Sequence, residues 1–158
     1  MKIIFLDIDG VLNTSRFICE RIEQGADKKT RLQWVFDPIA MKNLQEIVKK
    51  TGAKIVISST WKLHEKYNDD TWKALLKNLR DWDIEDAYIG VTPRTNEGIR
   101  GREIKDWLES NNYLGIESFV IIDDDSDMEE LKETHLVKCS THYGLTTKVK
   151  KQALEILG

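Results

Sequence analysis

Ile3-Ile4-Phe5-Leu6-Asp7-Ile8-Asp9-Gly10-Val11 lies at the start of the chain, and its reading decides the fold. Residues 2–6 are almost wholly apolar and stop at Asp7. So short a run, apolar on both faces, predicts a strand buried on both faces, as in parallel sheets. Residues 54–57 (Lys-Ile-Val-Ile) repeat the pattern and stop at Ser58, and 118–122 (Ser-Phe-Val-Ile-Ile) stop at Asp123. Residues 135–139 give a weaker fourth strand and 87–91 a fifth.

Helices are expected between the strands. Ile39, Leu44, Ile47 and Val48 recur at helical spacing over 38–50, behind a Pro38 start. Trp72, Leu75, Leu76 and Leu79 do so over 70–81, and Ile104, Trp107 and Leu108 over 102–109. A short helix is expected at 128–131 and a C-terminal one at 146–157. Alternating strands and helices predict a single α/β domain over residues 1–158, a Rossmann-like three-layer sandwich with a mostly parallel sheet. Ligands of such sheets bind beyond the carboxyl ends of the strands. Asp7, Ser58 and Asp123 therefore converge on one sheet edge.

The exception to this rhythm is residues 13–36, an insertion carrying Arg16, Arg21, Lys28, Lys29, Arg31 and Trp34. It follows the first acidic turn directly, where a long connection reads as a small cap or partial lid.

Bulk properties narrow the classes. The 158 residues suffice to bury a core, and 41% hydrophobic with 32% charged residues describes a globular chain. No apolar run approaches the ~20 residues of a membrane span. The first apolar run ends in two aspartates, so no targeting segment is read. The net charge of −3 gives no global attraction to nucleic acid or membrane, although a local basic patch could still bind phosphates. Cys19 and Cys139 lack metal-ligand spacing, which disfavours zinc and makes a reducing, cytoplasmic setting the expectation. His64, His135 and His142 show no such spacing either.

Asp7, Asp9 and Asp123, with Asp124 or Asp127, would concentrate negative charge, which is costly unless a cation sits among them. Hard oxygen ligands favour magnesium. One aspartate after one strand reads as a turn or cap; acids recurring after separate strands on one edge read as a site.

These residues carry a resemblance. Leu6-Asp7-Ile8-Asp9-Gly10-Val11-Leu12 resembles the first motif of the haloacid dehalogenase-like (HAD) phosphohydrolase superfamily. Ile55-Val56-Ile57-Ser58 resembles its second, and Val120-Ile121-Ile122-Asp123-Asp124 with Asp127 its fourth. The third is a cation before the last acidic strand; Arg100 fits, with Arg102 second. The resemblance implies that Asp7 attacks phosphorus and Asp9 is general acid and base. It implies magnesium on Asp7, Asp123, the Asp9 main-chain carbonyl and a further late carboxylate such as Asp124. Ser58 and Arg100 would bind the phosphoryl oxygens.

The substrate reading is an open site suited to a nucleic-acid end or nucleotide. Ser58-Ser59-Thr60-Trp61-Lys62 and Gly90-Val91-Thr92-Pro93 are similar to the phosphatase modules of nucleic-acid repair proteins, including that of polynucleotide kinase-phosphatase. Arg16 and Lys62 are expected on flanking phosphates, and Trp34 and Trp61 on a base. No obligate protein partner is expected. The competing readings are a small-metabolite nucleotidase and a non-catalytic magnesium-binding phosphoacceptor module. The latter resembles response-regulator receivers, which carry the acceptor after a middle strand. A Toprim-like nuclease would need its glutamate first and Asp-x-Asp later, the reverse of this order.

Overall fold

The apolar runs lie side by side in the protein, for which a computed structural model describes residues 1–27 and 31–158. Five strands form: β1 (Lys2–Leu6), β2 (Lys54–Ile57), β3 (Tyr88–Val91), β4 (Ser118–Asp123) and β5 (Leu136–Lys138). All pair in parallel, in the order β3-β2-β1-β4-β5. Six helices accompany them among the described residues: α1 (Ser15–Glu23), α2 (Pro38–Thr51), α3 (Asp70–Asp81), α4 (Arg100–Ser110), α5 (Leu131–Thr134) and α6 (Thr147–Leu157).

Successive strand residues point to opposite faces, and both faces of this sheet are covered. Ile4, Leu6, Ile55, Ile57, Val120 and Ile122 pack against Leu44 and Ile47 of α2, Leu75 of α3 and Val149 and Ala153 of α6. Ile3, Phe5, Val56 and Ile121 pack against Ile104 and Trp107 of α4 and against Met128. Phe5 meets the Trp107 ring edge-on at 5.4 Å and Phe119 at 5.7 Å. The three-layer α/β architecture expected from the strand pattern is the one formed. No described helix is long and apolar enough to cross a membrane.

Two elements escape the hydrophobic pattern. Helix α1 occupies part of the 13–36 insertion, where no helix is expected from the sequence; it buries none of its residues, with Phe17, Ile18 and Ile22 half-buried. A 3-10 segment, Thr60–Tyr67, follows β2 directly. The insertion is closed at its base. Thr14 caps α1 by accepting from the Phe17 amide and donates its hydroxyl to Asp37, which caps α2 through the Ile39 amide. The Asp37 amide donates to the Leu12 carbonyl at 2.7 Å. Lys28 and Lys29, named in the insertion above, lie outside the described residues.

Helix α4 approaches the loop after β4 at Gly101. A Cβ there would lie 2.5 Å from the Met128 carbonyl carbon and 2.6 Å from its oxygen. Both are backbone atoms, so the contact has no cheap relaxation. The Gly101 amide donates to the Asp127 carbonyl at 2.9 Å, and the Arg100 amide to the Asp127 carboxylate at 3.3 Å. Asp127 thus caps a helix whose own N-cap residue, Ile99, makes no side-chain cap bond. Gly101→Ala is expected to destabilise the fold by about 1–3 kcal/mol through overpacking, read as a lower denaturant midpoint at unchanged m-value.

Candidate active site

The sheet ladder continues one residue beyond the strands. The Asp7 amide donates to the Ile122 carbonyl, Ser58 to Leu6 and Thr92 to Ile57, each at 3.0 Å, and Cys139 to Asp123 at 2.8 Å. The first polar residues after the apolar strands are thereby locked in register on one edge. The chain passes from β1 to one side of the sheet and later to the other, so the crevice of such a fold falls between β1 and β4. Asp7 and Asp123 stand on its two sides.

The acidic turn is built on the Ile8 carbonyl, which accepts from Val11, Leu12 and Asn13 amides at 3.1, 2.9 and 3.4 Å. Gly10 has a φ of +77°, and a Cβ there would sit 2.3 Å from Asp124 Oδ2. Asp7, Asp123 and Asp124 bring carboxylate oxygens within 4.8 Å of one another. Asp7 and Asp123 are buried. Burial, and then the Asp123 carboxylate, push the Asp7 carboxyl up to about 9. Burial also raises Asp123, against the opposing pull of Arg100.

Arg100 is the cation at this cluster. Its Nη1 lies 2.5 Å from Asp123 Oδ2 and 3.3 Å from Asp7 Oδ1. Asp123 Oδ1 accepts from the Asp125 amide at 2.9 Å. Arg102, the second candidate, instead pairs with Glu97 and Glu129. The doubt over the late carboxylate resolves similarly: Asp124 joins the oxygen cluster, and Asp127 caps α4.

Ser58 is buried, and among the described residues its hydroxyl has no hydrogen-bond partner. An orphaned buried polar atom is costly. It lines a pocket of about 100 Å³ with Thr60, Lys62, Arg94, Gly98 and Arg100 and with the carboxylates Glu103, Asp125 and Asp127. That space holds about three waters, at ~30 Å³ each, or one tetrahedral oxyanion.

The side chains expected on flanking phosphates and bases have partners within the protein. Lys62 is buried, and its ammonium donates to Thr92 Oγ1, the Pro93 carbonyl and Glu103 Oε2 at 2.9, 3.1 and 2.6 Å. An ammonium has three donors, and all three are used. Arg16 is held by Asp37 at 2.5 Å and Glu20 at 2.7 Å. Trp61 is buried against Phe36 and donates its indole N–H to Asp9 Oδ2 at 3.1 Å, so it offers no face to a base. The exposed Asp9 carboxylate takes a second bond, 2.6 Å from Asn13 Nδ2, and is turned away from the three-carboxylate cluster. Trp34 is half-buried, packed on the core and under the Arg31 guanidinium.

Sequence reasoning missed Arg94, Asn13 and Glu103. Arg94 follows β3 by three residues on the functional edge, a position the strand pattern could have flagged. It is exposed and makes no ion pair among the described residues. Glu103 carried no signal. It accepts Lys62 on one oxygen and the Thr95 amide on the other, at 2.6 and 3.0 Å. The Lys62–Glu103 pair, both side chains 3% exposed, thus ties the segment after Ser58 to the 92–98 loop and to α4. Lys62→Met is expected to cost about 3–5 kcal/mol because it strands a buried carboxylate. Adding Glu103→Leu should recover much of that loss in the same denaturation experiment.

Comparison with known families agrees with this geometry. Residues 3–149 of the 158 match the family described as the HAD domain in Swiss Army Knife RNA repair proteins. No curated protein and no solved structure gives a match. A HAD family brings with it a phosphatase-type function, on a scaffold like the parallel sheet seen here. With nearly its whole length matched, the chain belongs to the family of HAD domains in Swiss Army Knife RNA repair proteins.

Proposed function

We propose that the protein is a magnesium-dependent phosphomonoester hydrolase that removes the terminal phosphate from a nucleic-acid end through an aspartyl-phosphate on Asp7. The observation that carries this is the edge shared by the buried Asp7 carboxyl, the orphaned Ser58 hydroxyl and the Arg100 guanidinium. The donor set of Asp7, Asp123 and Asp124 suits a hard divalent cation. Bound there, magnesium would offset the repulsion between an anionic phosphate and an anionic nucleophile.

The chain's own residues do the rest. Ser58 and the unpaired Arg94 receive the non-bridging oxygens in the pocket they line. Arg100 fixes the Asp7 carboxylate against Asp123. Asp7 attacks phosphorus, and the bond to the leaving oxygen breaks. Asp9, oriented by Asn13 and Trp61, gives that oxygen a proton. It then takes a proton from the water that hydrolyses the aspartyl-phosphate, which frees Asp7 and releases phosphate.

Two features support a large substrate. The family is described from RNA repair proteins. Asp9, at the leaving group, is exposed, and α1 beside it buries no residue. The unpaired Cys19 and Cys139 suit a reducing, cytoplasmic setting.

Asp7→Asn is expected to abolish turnover of a phosphorylated oligonucleotide while thermal melting in chelator stays at or above the parent's, since the cost of burying that carboxyl is removed. Retained turnover would sink the nucleophile assignment. Asp9→Asn is expected to lower kcat by about 10²–10⁴-fold and to keep the magnesium-dependent rise in melting temperature, because its carboxylate lies outside the cluster.

The pH dependence has a definite sign. With Asp7 raised, the metal-free fold binds a proton that the unfolded chain releases at lower pH. Its stability should therefore fall as pH rises from the ordinary carboxylate range toward about 9. A cation displaces that proton, so the melting shift at fixed magnesium should be larger at pH 8.5 than at pH 6. It approaches about 2.7 kcal/mol at a hundredfold excess over Kd. A pH-independent shift would count against a cation at Asp7.

A further inference from the structure

A second concavity lies on the same edge, on the far side of the acid cluster from Ser58. It is a groove of about 370 Å³, lined by Lys138 at the end of β5, Ser140 and Tyr143 in the following loop, and Thr146, Lys148 and Gln152 at the start of α6. The chain as a whole is acidic, with 27 Asp and Glu against 24 Lys and Arg. No carboxylate lines this groove. Lys138 and Lys148 are exposed and make no ion pair among the described residues, whereas Lys150, one turn-step away, is taken by Glu46. Tyr143 is 55% exposed, and its ring meets His142 edge-on at 4.6 Å.

The loop that carries Tyr143 is fastened to the acid site. Thr141 Oγ1 donates to Asp124 Oδ2 at 2.9 Å. The Ser15 amide donates to the Thr141 carbonyl and the Arg16 amide to the His142 carbonyl, at 3.3 and 3.0 Å. The Leu145 amide donates to the Val11 carbonyl at 3.0 Å. Gly144 is packed so closely that a Cβ would lie 2.4 Å from the Val11 carbonyl oxygen. Tyr143 is two residues from the contact with Asp124, at most about 7.6 Å of chain at 3.8 Å per step. The groove therefore begins where the acid cluster ends, on a loop that cannot drift from it.

We propose that this groove binds the single-stranded nucleic acid leading to the reacting end, with phosphodiesters on Lys138 and Lys148 and a base on Tyr143. Two unpaired cations beside an exposed aromatic is the combination that holds a strand without reading its sequence. The proposal rests on the phosphatase reading for the direction of the strand, but the binding itself needs no turnover and is testable alone.

The test is fluorescence anisotropy with a labelled single-stranded oligoribonucleotide lacking a terminal phosphate, at several salt concentrations. Against the parent, Lys138→Ala/Lys148→Ala should raise Kd about tenfold or more. It should reduce the slope of log affinity against log salt by about 1.4, at about 0.7 per single-strand phosphate contact. Tyr143→Ala should raise Kd about fivefold or more. Lys138→Arg/Lys148→Arg should restore the parent's binding, which a merely damaged fold would not. A double alanine variant with the parent's Kd and slope would overturn the proposal. Turnover separates the two readings. If the parent hydrolyses no phosphorylated substrate yet binds with this lysine dependence, the groove stands and the phosphatase reading falls. If both stand, the double variant loses turnover of phosphorylated oligonucleotides relative to mononucleotides by about the same tenfold.

Discussion

Two carboxylates, Asp7 and Asp123, lie buried at the ends of adjacent strands, and the sheet register leaves them no room to separate. Each is held by its own amide or carbonyl to a neighbouring strand. Like charges so placed oppose folding unless a counter-charge or a proton sits with them. Arg100 is the counter-charge within the protein. Its location depends on three contacts away from the acids: the Gly101 approach to Met128, the Asp127 cap on α4 and the Glu103 carboxylate on Lys62. Glu103 is one helical turn from Arg100, so the buried pair at one end of that turn braces the guanidinium at the other. Burial first, and then Asp123, raises the Asp7 carboxyl, and Arg100 pulls the other way.

Much of this was legible in the sequence because strand burial and strand ends are local signals. Each apolar run was bounded by a polar residue, and the parallel topology placed those residues on one edge. Arg100 and Arg102 were indistinguishable by composition; helix phase separates them, since positions two apart on a helix point in different directions. Lys62 was misread for a different reason. A lysine four residues past the Ser58 strand end looks solvent-exposed when nothing shows that Glu103, distant in sequence, comes to it. Trp61 was misread likewise, because its partner Asp9 reaches it only across the finished edge. Helix α1 is short and buries no residue, and the insertion that holds it reads as a partial lid.

The finished edge also has an order of charge that no single motif carries. On the β2–β3 side of Asp7 stand Ser58, Thr92, Lys62 and the unpaired Arg94. On the β4 side stand Asp123 and Asp124, and past them the lysine-lined groove at β5. On the proposed reading, a phosphate at Asp7 would meet the Ser58 hydroxyl and the Arg94 and Arg100 guanidiniums in a pocket that Glu103, Asp125 and Asp127 also line.

In the proposed mechanism, Asp9 would set where the leaving group lies. Its carboxylate is oriented by Trp61 and Asn13, one on the segment after β2 and one on the acidic turn itself. It stays exposed while Asp7 is buried. With those proposed roles the proton donor would be at the mouth and the nucleophile at the floor, and the departing oxygen, with the remainder of the substrate attached to it, would point outward. A small metabolite would leave that mouth largely open to water. A polymer end would continue from it along the surface, and Thr141 anchors to Asp124 a loop that borders a groove without carboxylates.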